Sequence, residues 1–91
     1  MSPTKAVDLV KALSTTQVMV LDTNPARTYA LLINPSAEEV FLGMGIPAVV
    51  DRGIPLLSAG SSYEINFTNP WHGSIYAVSK AGAPNLLITE W

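Results

Sequence analysis

The sequence of 91 residues contains no cysteine and only one histidine, His72. Without cysteine the chain has no disulfide and no thiolate ligand, and one histidine cannot supply a multi-histidine metal site within a single chain. Small domains commonly need disulfides, metals or association to be adequately stable. We therefore expect no metal and no cofactor, and a fold that depends on its core or on assembly.

Charged residues are also scarce. They make up 13% of the chain, against roughly 25% in an average soluble domain, whereas hydrophobic residues make up 48%. A small protein has much surface to cover, so few charges predict an apolar or neutral exterior, and large exposed apolar patches mark interaction surfaces. This favours a homo-oligomer or a protein that binds other subunits. The alternative is a monomer with a Ser/Thr/Asn-rich surface.

Several classes of partner and location are disfavoured. The net charge is −2, and the five cations are scattered rather than forming a patch that could displace counterions from phosphate. No apolar run approaches the roughly 18 to 20 residues of a membrane span, and the start of the sequence lacks a signal-peptide pattern. We expect no nucleic acid, no membrane, and synthesis in a cytoplasm.

From residue 15 onward, short apolar runs alternate with Pro, Gly and Asn turn signals, including three Asn-Pro pairs. This pattern is typical of an all-β sandwich or barrel. We predict a compact antiparallel β-sandwich or small barrel of six to seven short strands over residues 15–91.

Two of the predicted strands carry an informative pattern. Both faces of residues 28–33 are apolar, which predicts a central strand covered on both sides. Residues 63–68 alternate instead, which predicts a half-buried strand with Tyr63, Ile65 and Phe67 pointing inward.

Residues 1–14 have a different character and are predicted to form an N-terminal arm or short helix. Ser2 and Pro3 can cap and start a helix, and apolar residues follow at roughly helical spacing. A helix this short is marginal in water, so the segment should dock on something, with a frayed terminus as the alternative. We expect it to dock on a neighbouring subunit, so that its removal leaves the β body folded. The interface candidates are Val7, Leu9, Val10 and Leu13.

No catalytic motif is found, and we expect no enzyme. His72 is the one candidate general base, and it stands in a turn signal with no carboxylate nearby in sequence. Glu38 and Glu39 are adjacent, so on a strand they point to opposite faces. Gly43-x-Gly45 lacks the third glycine and the helix of a phosphate-binding loop.

Aromatic residues supply further interface candidates. Trp71 and His72 follow a turn proline, and Trp91 is expected to pack either on its own domain or on a neighbour. An alternative role for Trp71, His72 and Tyr76 is to bind the ring face of a sugar. In another alternative, Trp71 covers one end of the sandwich.

Short strand and turn phrases follow one another along the chain in an order that resembles a known group of proteins. The phrases are RTYALLIN at 27–34, VFLGMG at 40–45, GIPL at 53–56, AGSSYEI at 59–65, NP at 69–70, GSIYA at 73–77 and LLITE at 86–90. Over about residues 16–91, the chain resembles small virion-associated β proteins of tailed bacteriophages.

The resemblance implies a structural role on a phage particle, in its best-fitting form as a capsid cement or decoration protein. Such proteins bind the major capsid protein on the outer surface of the head, often as trimers, after synthesis in the host cytoplasm. Two alternatives stay open: a tail or head-fibre module that binds a cell-surface carbohydrate, and a head–tail or tail joint protein.

Overall fold

The computed structural model describes residues 5–91, which form eight antiparallel strands in two four-stranded sheets. The predicted all-β, sandwich-like fold is confirmed, with eight strands rather than six or seven and no helix in this part of the chain. The strands are β1 (Val7–Ala12), β2 (Val18–Leu21), β3 (Ala30–Asn34), β4 (Val40–Met44), β5 (Ile54–Leu56), β6 (Ser61–Ile65), β7 (Ile75–Ser79) and β8 (Asn85–Glu90).

The first sheet has the strand order β1-β8-β3-β6, and the second has the order β2-β7-β4-β5. Each sheet takes its strands from distant parts of the chain; β1, for example, pairs with β8. The inner faces of the two sheets meet in one apolar core. Its most deeply buried members include Leu32, Leu42, Ile75, Leu86 and Ile88.

Residues 7–12, for which an arm or a short helix was predicted, are extended and not helical. They form β1 at the edge of the first sheet, with Val7 opposite Glu90 and Ala12 opposite Asn85. Leu13, directly after β1, is buried in the core, and its N–H donates to the carbonyl of Pro84. The segment therefore docks on the chain's own body through Leu9 and Leu13, because β8 offers free backbone groups there. The proposed cap at Ser2 and Pro3 lies outside the described residues.

The second sheet is covered on both sides. Phe41 and Val78 are cross-strand neighbours that point away from the core, yet both are buried. The loop of residues 45–53, called here the covering loop, places Ala48 and Val50 against them. A side chain at position 43 would collide with backbone atoms of this loop, so Gly43 allows the close approach.

Two buried polar side chains tie distant segments together. Asn34 at the end of β3 donates from Nδ2 to the carbonyls of Glu38 and Leu56, at 2.7 and 2.8 Å, and so links the first sheet to β5 of the second. Its Oδ1 accepts from both the N–H and the hydroxyl of Ser36. The amide is thus fully used, as a buried polar group requires.

Candidate functional site

The outward side of the first sheet carries apolar residues that no other part of residues 5–91 covers. Val10, Leu87 and Ile33 lie side by side on β1, β8 and β3. Val10 is 64% exposed and Leu87 is 39% exposed, whereas Ile33 is half-buried. Leu31 lies two residues before Ile33 on β3 and therefore on the same side of the sheet.

Two stacked rings continue this surface toward one end of the sheet. The rings of Tyr29 and Trp91 have centroids 4.3 Å apart and are inclined by 19°. Their backbones exchange two hydrogen bonds of 3.0 Å, so the β3–β8 ladder extends to these residues. Trp91 remains 41% exposed. We name these six residues the outer apolar face: Val10, Tyr29, Leu31, Ile33, Leu87 and Trp91.

Polar groups border the outer apolar face on two sides and are held by hydrogen bonds. On the β1 side Asp8 Oδ1 accepts from the hydroxyl of Thr89 at 2.9 Å, and Thr89 itself lies within the face, on β8 between Leu87 and Trp91. On the β6 side Glu64 accepts from the Tyr29 hydroxyl at 2.6 Å and from the Asn66 amide at 3.0 Å. The hydrogen bond to Glu64 is the main cause that raises the pKa of Tyr29 above its usual value, with desolvation and the Glu64 charge acting in the same direction.

The interface candidates of residues 7–13 separate into two groups. Leu13 belongs to the core and is not available to a partner in this fold, whereas Leu9 packs against the core and stays partly exposed. Val7 and Val10 are exposed. Because even-numbered residues of β1 share the outward side, the structure places Val10 on the outer apolar face together with Trp91.

Trp71 and His72 lie in the segment between β6 and β7, away from the outer apolar face. Trp71 packs against the core and donates from its indole N–H to the carbonyl of Ser74 at 3.1 Å, which agrees with a role in covering one end of the sandwich. His72 is exposed. Tyr76 packs instead into the cluster beneath the covering loop. Trp71 and Tyr76 therefore belong to different packing clusters.

Sequence reasoning missed two residues. Phe67 was predicted to point inward, but β6 ends at Ile65, and Phe67 lies in the following turn with 91% of its surface exposed. That prediction was wrong because the strand pattern was extended through a turn. Asn66 and Asn69 on either side of the turn were the available signal.

The second missed residue is Arg27, which we counted as one of several scattered cations. Its side chain is buried, and Nε donates to Glu90 Oε2 at 2.8 Å. The two terminal nitrogens donate to the carbonyls of Asp22, Trp71 and Gly73. Arg27 thereby joins β8 of the first sheet to the segments next to β2 and β7 of the second.

Neither a metal centre nor a membrane-spanning helix is found within residues 5–91. No group of three or more His, Cys, Asp or Glu side chains there could hold a metal ion. No helix in that range is long and apolar enough to cross a membrane. In comparisons with known proteins, no family model, no curated protein and no solved structure matches the chain.

Proposed function

We propose that this chain is a structural virion protein, a capsid cement or decoration protein that binds the outer surface of a phage head through its outer apolar face. The observation that carries the docking role is that one sheet is covered on both sides by the chain itself, whereas the other leaves apolar side chains open. The capsid as partner comes from the resemblance of residues 16–91 to small phage virion proteins.

The composition of the outer apolar face supports a protein partner. Aromatic residues are enriched in protein interfaces, which have an apolar centre and a polar rim. Here the Tyr29–Trp91 stack and the leucine and valine side chains supply the centre, and Asp8 and Glu64 border it. The rim side chains are already fixed by hydrogen bonds, so little ordering is needed on binding.

The charges on this rim disfavour face-to-face packing of two identical copies. Asp8 and Glu64 are both acidic, and a second copy packed face to face would bring acidic groups together. A partner with lysine or arginine around an apolar patch fits better. On this argument the face binds a different protein, and the partner we propose is the major capsid protein.

The size of the face suggests that one contact is not enough. The whole first sheet, with four strands of about five residues, covers roughly 300 Å², and the face occupies three of these strands, so its area is well below the roughly 800 Å² per partner of a standard interface. Stable attachment therefore calls for several copies acting together, since linked contacts raise the apparent affinity without new chemistry. This agrees with the expected homo-oligomer.

Location and copy number in purified particles test the virion role. We expect quantitative mass spectrometry of particles made by the virus that encodes this chain to find the protein in hundreds of copies, on the shell. Six or twelve copies would instead assign it to a head–tail or tail joint. Its absence from the particle would reject the virion role altogether.

A pair of variants tests the face. Leu87→Asp places a charge at the centre of the outer apolar face, whereas Leu57→Asp places one at a comparably exposed leucine that lies outside it. In rebinding to shells stripped of the protein, we expect Leu87→Asp to lose attachment and Leu57→Asp to bind like wild type. Equal binding by both variants would contradict the assignment of the face.

A further inference from the structure

The backbone of β1 forms ladder hydrogen bonds on one side only. The N–H of Leu13 donates to the carbonyl of Pro84 at 2.8 Å, and these two residues are the next pair of the β1–β8 ladder. Hydrogen-bonded and non-bonded pairs alternate in an antiparallel ladder, so the odd-numbered residues of β1 bond β8. The N–H and C=O groups of Asp8, Val10 and Ala12 therefore point away from β8, and no backbone group of residues 5–91 bonds them.

The other three edge strands each carry a feature that hinders pairing with a further strand. Pro55, which has no N–H to donate, stands in the middle of β5. The pairing of β2 is irregular between Met19 and Leu21. On β6 the carbonyl of Glu64 already accepts from Asn69 Nδ2 at 2.9 Å. In contrast, β1 keeps a continuous register over six residues without proline or glycine, so it is the edge best able to accept another strand.

The side chains of β1 favour one register for pairing with a second β1. Like charges directly opposite each other destabilise a strand pair, which disfavours antiparallel registers centred on Asp8 or on Lys11. A register centred on Leu9 places each Asp8 opposite a Val10. The register centred on Val10 instead opposes Val10 to Val10 and each Asp8 to an Ala12. It keeps apolar residues together and like charges apart.

This register joins the outer apolar faces of the two copies. Val10, Leu87 and Ile33 form one row across β1, β8 and β3. Two antiparallel strands of one sheet are related by a two-fold axis perpendicular to the sheet, so the rows of both copies lie in line and face the same way. Val10, which is 64% exposed in the single chain, lies where the two rows meet. Pairing thus doubles the apolar area that is offered to one partner surface.

Lys11 is the one feature of β1 that resembles protection of an edge, because inward-pointing charges blunt edge strands. In the register centred on Val10 it stands opposite Leu9 of the second copy. Its methylene stem can lie over that leucine while the ammonium group stays in water. The charge therefore restricts the register of the pair and does not prevent pairing.

We propose that two copies of this chain pair antiparallel through β1, centred on Val10, and so join their four-stranded first sheets into one continuous sheet. The match of β1 to itself, in apolar side chains and in charge, favours a second copy over a foreign strand. A two-fold contact of this kind closes on itself, so association stops at a dimer. The proposal rests on the oligomeric part of the proposed function, and neither on the capsid as partner nor on the phage resemblance.

Hydrogen exchange at several protein concentrations tests the pairing in the unaltered chain. The amides of Leu9 and Lys11 bond β8 and should exchange slowly at every concentration. The amides of Asp8, Val10 and Ala12 should become slow only where sedimentation equilibrium finds twice the mass of 9.7 kDa. Their exchange should be about tenfold slower once about nine-tenths of the chains are paired, because it then proceeds through the unpaired remainder.

Two proline variants test which edge of the first sheet is used. Val10→Pro removes an N–H that points outward from β1. Ser62→Pro is the matched control on β6, because Ser62 lies opposite Ile33, whose backbone groups face β8. Neither variant removes a hydrogen bond within the sheet, and circular dichroism checks that both keep the fold. Val10→Pro should raise the dissociation constant of the dimer about tenfold or more, since two identical hydrogen bonds at the axis are lost, whereas Ser62→Pro should associate like wild type.

Isotope-filtered NMR on a mixture of labelled and unlabelled chains tests the register. In the proposed pair Leu9 stands opposite Lys11 of the second copy, in a non-hydrogen-bonded pair, where the α-carbons are closest. We expect an intermolecular NOE between the α-protons of these two residues. An NOE between the Leu9 α-protons of the two copies would contradict the register centred on Val10.

The remaining outcomes are equally decisive. A wild-type monomer over the whole concentration range would overturn the proposal, as would a dimer in which the Val10 amide exchanges as fast as in the monomer. An association that Ser62→Pro weakens and Val10→Pro does not would move the contact to β6. All of these measurements use the purified chain without a capsid, so their failure leaves the capsid role standing, and the absence of the protein from virions leaves the dimer standing.

Discussion

The outward sides of the two sheets differ in how far they are covered by the rest of the chain. On the second sheet, Phe41 and Val78 point away from the core and are buried by the chain's own covering loop. On the first sheet, Val10 and Leu87 occupy comparable positions, and nothing in residues 5–91 covers them in this way. The described part of the chain thus covers the outward side of one sheet and not that of the other.

This difference shows how to separate stability from binding in a small apolar protein. Apolar side chains beneath the covering loop contribute to the free energy of unfolding, because folding removes them from water. The most exposed members of the outer apolar face, Val10 and Leu87, bury less of their surface on folding, so we expect their substitution to cost less stability. We propose that a partner covers this face, since exposed apolar patches mark interaction surfaces.

The largest expected effect concerns the link that fixes the two sheets against each other. Arg27→Ala removes the partner of Glu90 and leaves the carbonyls of Asp22, Trp71 and Gly73 without their donor. Breaking a buried ion pair from one side costs about 3 kcal/mol or more. We expect a loss of this size in the free energy of unfolding measured with urea.

A conservative and a distant variant control for this effect. Arg27→Lys keeps the charge but not the planar fork of donors, so it should recover only part of the loss. Lys80→Ala removes exposed ion pairs of 3.8 and 4.0 Å to Asp51 and Glu39 and should cost less than about 1 kcal/mol. A loss for Arg27→Ala no greater than that for Lys80→Ala would show that Arg27 does not fix the sheets.

Truncating one outward side chain on each sheet tests directly whether the two outward sides differ in burial. Phe41→Ala on the second sheet should lower the free energy of unfolding by about 3 kcal/mol or more, since it leaves a cavity beneath the covering loop. Leu87→Ala on the first sheet should lower it by about 1 kcal/mol or less, because the side chain is 39% exposed. Similar losses of stability for the two variants would mean that the outward side of the first sheet is covered in solution. Repeating the measurement over a range of protein concentrations would show whether another copy of the chain provides that cover.

The sequence predicted the class of fold and part of this asymmetry. Apolar residues on both faces of 28–33 predicted a strand covered on two sides, but the described chain covers only the side of Ala30 and Leu32. Leu31 and Ile33 on the other side are only half-buried. The pattern showed that both sides suit burial, and a pattern within one strand cannot show whether the cover comes from the same chain.

The remaining differences arise from contacts between residues far apart in sequence. The helical spacing in residues 6–13 was genuine, yet pairing with β8 decides the conformation of this segment. Arg27 and Glu90 are 63 residues apart, so no local pattern could join them. Tertiary contacts of this kind override local propensity when the local preference is weak.

The smallest expected effect concerns the rim of the outer apolar face. Tyr29→Phe removes the hydroxyl that donates to Glu64, an exposed hydrogen bond, and should cost only about 0.5 kcal/mol at neutral pH. Because the pKa of Tyr29 is raised in the folded protein, the stability from its neutral hydroxyl is fully present below the unfolded pKa of about 10. It is lost as pH rises through the folded pKa, so wild type should lose stability more steeply than Tyr29→Phe above about pH 10.

Ultraviolet titration separates the hydrogen bond from simple burial as the main cause of this shift. The wild-type minus Tyr29→Phe difference spectrum isolates the ionisation of Tyr29, and a Glu64→Ala background removes both the acceptor and the negative charge. If the Glu64 carboxylate dominates, the pKa of Tyr29 should fall back toward about 10 in that background. An unchanged pKa would assign the shift to desolvation by the neighbouring rings, and the rim at Glu64 would then be a mobile charge rather than a fixed one.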